Sequence, residues 1–413
     1  LEFSYNSLIT IPDEIFVLTK LTAMTWGNAL QTLPAEISQL QQLAQLNLST
    51  NKLTQLPNLS ALTNLTMLNA RMNPIEQIPD SLFALTQMQE LFLSANALFQ
   101  VPRQIGLLTN LRTLSLSDNK ITELPSTLGD LTALQVLNLG NNKFTRLPDS
   151  LFTLSDLADL TIVNNVLEDV EGIERLRLTK LAVGGSGASP IPLQLKQFPV
   201  SFLALTSLLH LEMRHTDVLT IPEEFCQLSR LTYLSVSYNG LKTLPESFSK
   251  LTSLLKFFAL GNLFTEIPAV LMELTKLKAL SLGKNSIRQV DYNISKLVSL
   301  SQLSLSENGL RHVSPMLSRC PHVSNLNLSN NRINTLPSEI GELKNLRFLS
   351  LRGNPLSVIP AELGFLPNLR LVRFDKAKFP KRIITQRFDF EQFVVHSDLY
   401  DHEDDDDDDT LAS

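Results

Sequence analysis

Asparagine recurs in this chain with a fixed period. Asn73, Asn96, Asn119, Asn142 and Asn165 stand 23 residues apart, and Asn239, Asn262, Asn285, Asn308, Asn331 and Asn354 repeat the same step. Asn6, Asn28 and Asn51 extend the series, while Ser186 and Thr216 take the position in two irregular repeats. That makes sixteen repeats, closed by a partial one, LRLVRF, at 369–374. A chain of 413 residues has room for two or three ordinary domains. A repeat array escapes that limit, because it grows in one dimension by stacking like on like.

One unit, LRTLSLSDNKITELPSTLGDLTA at 111–133, shows what each repeat supplies. Leu111, Leu114 and Leu116 point inward from a short strand, the last two with the period of 2 that a strand requires. Asn119 sits where the chain leaves the strand, its amide free to bond backbone groups of the turn and the next coil. Ile121 and Leu124 fill the following corner, and Pro125 forbids further pairing through its missing N–H. Leu128 and Leu131 close the coil in a short helical or extended turn. A single unit cannot bury these leucines, each worth roughly 1.5–3 kcal/mol when covered. Stacked units can, with their strands paired in parallel along one side.

The pattern L-x-x-L-x-L-x-x-N-x-L-x-x-L-P-x-x-[LI]-x-x-L resembles the leucine-rich repeat family over residues 1–374. The 23-residue L-P version is similar to intracellular Ras-group repeats and to many bacterial repeat proteins. The resemblance implies an α/β-type solenoid, a horseshoe with a parallel sheet on its concave face and short turns on its convex face. It also implies non-catalytic binding of another protein, with no cofactor. The competing expectation is the recognition half of a larger kinase, GTPase or ubiquitin ligase.

Composition narrows the function classes. The net charge is −6, but Asp401, Glu403 and Asp404 to Asp409 alone supply eight negative charges. The remaining body is nearly neutral and has no basic stripe of the kind nucleic acid needs. Phenylalanine, with 21 residues, outnumbers tyrosine and tryptophan together, which suits buried filling rather than base stacking. Two cysteines far apart form no disulfide framework, and a reducing, cytoplasmic setting is expected. No run of about 18 apolar residues offers a membrane span. The chemistry-bearing motifs of hydrolases, kinases and zinc enzymes are missing.

The period breaks at 166–216, where Glu171 replaces the usual Pro and GGSGASPIP (184–192) is inserted. Its glycines lack the G-K-[ST] of a phosphate loop. Just beyond lies LLHLEMRHTD (208–217). On the concave face most units present a small polar residue: Asn47, Asn69, Ser115, Asn138, Ser281 and Ser304 at equivalent places. Here His210, Glu212 and Arg214 alternate outward, and His215 follows at the rim. The next strands add Tyr233, Tyr238 and Phe257, the last because Phe258 and Leu260 are assigned to the core of a unit short by one residue. Aromatics with arginine are what protein interfaces use as anchors. His210 and Glu212 offer two metal ligands but no third in reach, so no metal is expected. Met67, Arg71, Met72, Glu90 and Phe92 form a smaller candidate cluster on two earlier strands. After Phe374 the pattern stops. Residues 375–397 are expected to cap the array, and 398–413 to form a disordered acidic tail.

Overall fold

The computed structural model describes residues 1–375, apart from Tyr5, Ser7, 186–192 and Gln194. The expected cap beyond Asp375, the acidic tail and most of the Gly-rich insertion, Ser186 included, lie outside the described residues. Two compact units are present, divided within the irregular segment. The first comprises Leu1–Leu195 and Pro199–Leu208, and the second Lys196–Phe198 and the chain from Leu209 onward.

The first unit holds β1 (Ala23–Thr25), β2 (Gln45–Asn47), β3 (Met67–Asn69), β4 (Glu90–Phe92), β5 (Thr113–Ser115), β6 (Val136–Asn138), β7 (Asp159–Thr161) and β8 (Lys180–Gly184). Each pairs in parallel with the next. The second unit holds β9 (His210–Arg214), β10 (Tyr233–Ser235), β11 (Lys256–Phe258), β12 (Ala279–Ser281), β13 (Gln302–Ser304), β14 (Asn325–Asn327), β15 (Phe348–Ser350) and β16 (Leu371–Arg373), also parallel and in chain order. Each unit is therefore a solenoid with one sheet, as the repeat spacing predicts.

The turns opposite the strands are single 3-10 turns, and in most repeats a proline stands immediately before them, with Gly172, Asp291 and Ser314 in its place elsewhere. Pro125, extended at φ −69°, stands immediately before the turn Ser126–Asp130, and Leu128 N–H donates to its carbonyl at 3.0 Å. The turn buries Leu128 completely. Proline fits because the first helical N–H groups have no intrahelical acceptor to lose.

The asparagines form a ladder, and it points backwards. Asn119 Nδ2 donates to the carbonyls of Leu116 and Ser117 in its own turn, at 2.9 and 3.1 Å, and to Leu93 in the preceding coil at 3.0 Å. Its Oδ1 accepts from Leu98 N–H at 3.0 Å. The partner coil is thus the one before, not the one after. The same set recurs at Asn142, Asn262 and Asn331, so each coil is tied to its predecessor by buried, satisfied amides. From Asn51 onward the residue before each ladder asparagine is left-handed, from Thr50 (φ 58°) and Asp118 (φ 57°) to Tyr238 (φ 54°) and Glu307 (φ 50°). Non-glycine residues there carry a steric cost that the ladder offsets.

The unit at 254–262 corrects the sequence expectation. Phe257 is fully buried and lies in register with Leu234 and Leu280, both core residues. Phe258 falls in register with Ser235 and Ser281 and takes the open-face position. The unit is not short: Phe257 and Ala259 occupy the inward places, and Ala259 is merely small. Pairing on both sides leaves no freedom to slip, since a one-residue shift would exchange the two faces.

Candidate protein-contact face

Strand β9 is longer than most, five residues, and alternates half-buried and buried along its length. Leu211 and Met213 face the core while His210, Glu212 and Arg214 face out. The parallel register places His210 beside Tyr233 and Glu212 beside Ser235. From this arise two aromatic rows on the second unit.

The first row runs across the open face. The His210 and Tyr233 rings lie flat on each other, centres 3.8 Å apart and planes within 5°. Tyr233 in turn tilts against Phe258 at 5.3 Å. His210 Nε2 is 2.6 Å from Glu212 Oε1, which orients the imidazole. Phe258, not Phe257, takes the outward place on the third strand, but at 3% exposure it backs the Tyr233 ring rather than facing solvent.

The second row follows the left-handed positions at the strand exits. His215 stacks on Tyr238 at 4.3 Å and 9°. Next in the row is Gly261, at φ 65°, where an added Cβ would stand 2.6 Å from Tyr238 Cδ1. The missing side chain is what lets the tyrosine ring lie over the following turn. Lys284 completes the row, with Nζ 5.8 Å from the Tyr238 ring centre, 3.5 Å from its hydroxyl and 3.8 Å from Glu307. Thr216, which stands where other repeats have asparagine, is fully buried. Its N–H and hydroxyl both donate to Asn239 Oδ1, at 3.0 and 2.9 Å, so the following repeat's amide closes the gap.

Burial lowers the His215 pKa, Arg214 lowers it further, and Asp217 partly opposes them. A histidine whose folded pKa is lowered stabilises the fold fully above its unfolded value near 6.5, and that contribution is lost as pH falls through the folded value. Acidification from about pH 7.5 to 5 should therefore depress the unfolding midpoint more in the wild type than in His215→Phe, which keeps a ring on Tyr238. Parallel pH profiles would remove His215 from the account.

The smaller cluster is dispersed by comparison. Met67 is in register with Glu90, and Phe92 with Asn69, so all three face out. Met72 is 57% exposed at a left-handed position, with the Thr50 hydroxyl 3.8 Å from its sulfur. Arg71 is exposed, its N–H donating to Asn69 Oδ1. No aromatic stack joins these residues among those described.

No group of histidine, cysteine and carboxylate side chains among the described residues is arranged to hold a metal ion. Cys226 and Cys320 are both free. Burial pushes the Cys320 thiol up to about 11, and its Sγ–H donates to the Ile294 carbonyl. Among the described residues no helix is long and apolar enough to cross a membrane.

Comparison with known proteins agrees with this architecture. A family model described as a leucine-rich repeat region matches residues 100–183, and the Leucine Rich Repeat model matches 230–251, 322–343 and 345–366. No curated protein matches. Among solved structures, a leucine-rich repeat protein of Leptospira interrogans is 31% identical, with 91% of this chain and 95% of that one covered and a TM-score of 0.65. The plant peptide hormone receptor RGFR1, solved in complex with RGF2, is 28% identical over 91% of this chain and 63% of its own, with a TM-score of 0.57. An internalin of Listeria monocytogenes, InlF, shares the fold at 22% identity, with 88% of each chain covered and a TM-score of 0.55. With 31% identity to a leucine-rich repeat protein over 91% of its length, this chain belongs to the leucine-rich repeat family.

Proposed function

We propose that this chain is a non-catalytic protein-binding module whose partner, another protein, seats on the two aromatic rows of the second unit. The observation that carries this reading is the stack His210–Tyr233–Phe258 beside the stack His215–Tyr238–Lys284, where many equivalent strand positions carry serine or asparagine. Rings already held in place lose little side-chain entropy on binding, which is why tyrosine and arginine dominate interface energetics. Arg214 and Glu212 supply charge at the edge of the platform. The plant receptor named above was solved with a peptide hormone, which supports peptide or protein capture as the kind of task. Met67, Arg71, Met72, Glu90 and Phe92 are assigned a secondary contact. Free cysteines fit work in a reducing compartment.

The test is capture and identification of a partner on the intact chain, followed by titration of that purified partner. Tyr233→Ala with Tyr238→Ala is expected to weaken binding at least ~30-fold, the loss of a 2 kcal/mol hot spot. Circular dichroism checks that the variant folds. Phe92→Ala should cost only a few-fold. Unchanged affinity in the tyrosine variant would assign recognition elsewhere on the molecule.

A further inference from the structure

In the last repeats of the second unit the turn side is mostly acidic, with Lys344 donating to the Gly341 carbonyl among the acids. Glu339, Glu342 and Glu362 all lie in the 3-10 turns Ser338–Glu342 and Ala361–Phe365. The sheet side carries arginine. Arg347 and Arg370 stand at the entrances to β15 and β16, Arg373 lies within β16, and Arg352 follows β15, all exposed. Arg347 and Arg370 are lateral neighbours, since Arg370 N–H donates to the Arg347 carbonyl at 2.9 Å. Arg373 is in register with Ser350, and its guanidinium sits 5.5 Å from the centre of the Phe348 ring. Asp375 also lies on this side, its Oδ2 accepting from the Gly353 N–H at 2.9 Å.

Arg347 and Arg370 at neighbouring strand entrances, with Arg373 over the Phe348 ring, make a surface for carboxylates. Their planar forks match carboxylate geometry and keep their charge at every working pH. This patch is separate from the aromatic rows on β9 to β12.

We propose that its occupant is the acidic run 401–409 of this same chain. Charge complementarity is the first argument: Asp401, Glu403 and Asp404 to Asp409 carry eight negative charges in nine residues. Chain length is the second. Asp375 is anchored at the patch itself, and 25 residues separate it from Asp401. At up to about 3.3 Å per residue that stretch reaches far further than a two-strand patch requires. Individual exposed ion pairs are weak and screened by salt. Many such pairs on one tether act intramolecularly, which raises their joint occupancy. The run then shields the arginines from acidic segments of other proteins, and the contact is autoinhibitory. Lys376, Lys378, Lys381, Arg382 and Arg387 lie between patch and run and compete for the same carboxylates, so the test must separate the two.

The test uses the full chain and a fluorescent deca-aspartate peptide as probe, at low salt. Replacing each aspartate from Asp404→Asn to Asp409→Asn is expected to tighten probe binding about tenfold or more, because the internal competitor is gone. Adding Arg347→Gln, Arg370→Gln and Arg373→Gln to that variant should abolish the gain. Adding Lys52→Gln, Lys120→Gln and Lys143→Gln, the same charge change on the first unit, should leave it intact. Equal affinity of the wild type and the Asn variant would overturn the proposal. So would loss of the gain in the lysine control, which would make the attraction diffuse rather than sited. Unfolding midpoints of all variants guard against a folding defect.

Discussion

Asn119→Ala should lower the stability of the fold by about 3 kcal/mol, although it deletes only one small amide. The side chain is nine-tenths buried and makes four hydrogen bonds, all to backbone. Alanine fills none of those roles. It leaves Leu98 N–H without its acceptor, in a place water does not reach, and takes one of two donors from each of the carbonyls of Leu93, Leu116 and Ser117, which keep Asn96 Nδ2, Asn142 Nδ2 and the Ala95 N–H. The one orphaned N–H costs about 1–3 kcal/mol, the lost carbonyl bonds add about 0.5–1.5 kcal/mol each, and partial relaxation brings the sum below simple addition. The neighbouring exposed substitution Lys120→Ala should stay within about 0.5 kcal/mol. Repeat arrays need not unfold in one step, so the sharper measurement is hydrogen exchange at the Leu98 amide. Protection there should collapse in Asn119→Ala and persist in the control. Retained protection would mean that the ladder is dispensable.

Gly261→Val should cost about 2–4 kcal/mol and displace Tyr238. Two terms add. The backbone sits at φ 65°, where a β-branched residue pays about 1–2 kcal/mol. The new side chain also meets the Tyr238 ring at 2.6 Å, an overpacking worth about 1–3 kcal/mol. The ring has little room to retreat, because His215 lies flat on its other side at 4.3 Å. Tyrosine fluorescence and the near-ultraviolet dichroism of the stack report the displacement, and a denaturant titration reports the cost. A Gly261→Val chain with both signals unchanged would show that the glycine is not needed for the second row. If the proposed function holds, the same variant also weakens partner binding, since Tyr238 is then held in the wrong place.

The strands, their order and the small-polar lining were legible in the sequence because a 23-residue period fixes which positions repeat. Leucine at inward places needs only apolarity, and the period supplies the rest. The error came at Phe257–Phe258, where both residues are apolar and alternation cannot choose between faces. The ladder could have chosen: Asn239, Asn262 and Asn285 are evenly spaced, so no residue is missing, and Phe257 aligns with Leu234. The backward direction of the amide bonds was not legible, since composition is blind to which neighbour a group turns toward. Among candidate residues, His210, Tyr233, His215 and Tyr238 were visible as departures from a uniform column. Their pairing into stacks, and the parts played by Phe258, Gly261 and Lys284, required coordinates. Aligning consecutive repeats would have brought His215, Tyr238, Gly261 and Lys284 into one column, which is the signal that single-strand inspection passes over.

That column has a further meaning. At the left-handed position before each ladder asparagine the backbone is held by its neighbours, whatever side chain is attached. Thr50, Ala95, Asp118, Tyr238 and Glu307 all accept the same φ, within 50–58°. Apart from Gly261 and Gly353, where an added side chain would meet Tyr238 and Asn330, folding does not dictate which residue stands there. The column is in effect a line of interchangeable type set in a fixed frame: its letters can be rewritten one repeat at a time, redirecting what the molecule recognises while the frame that holds them stays standing.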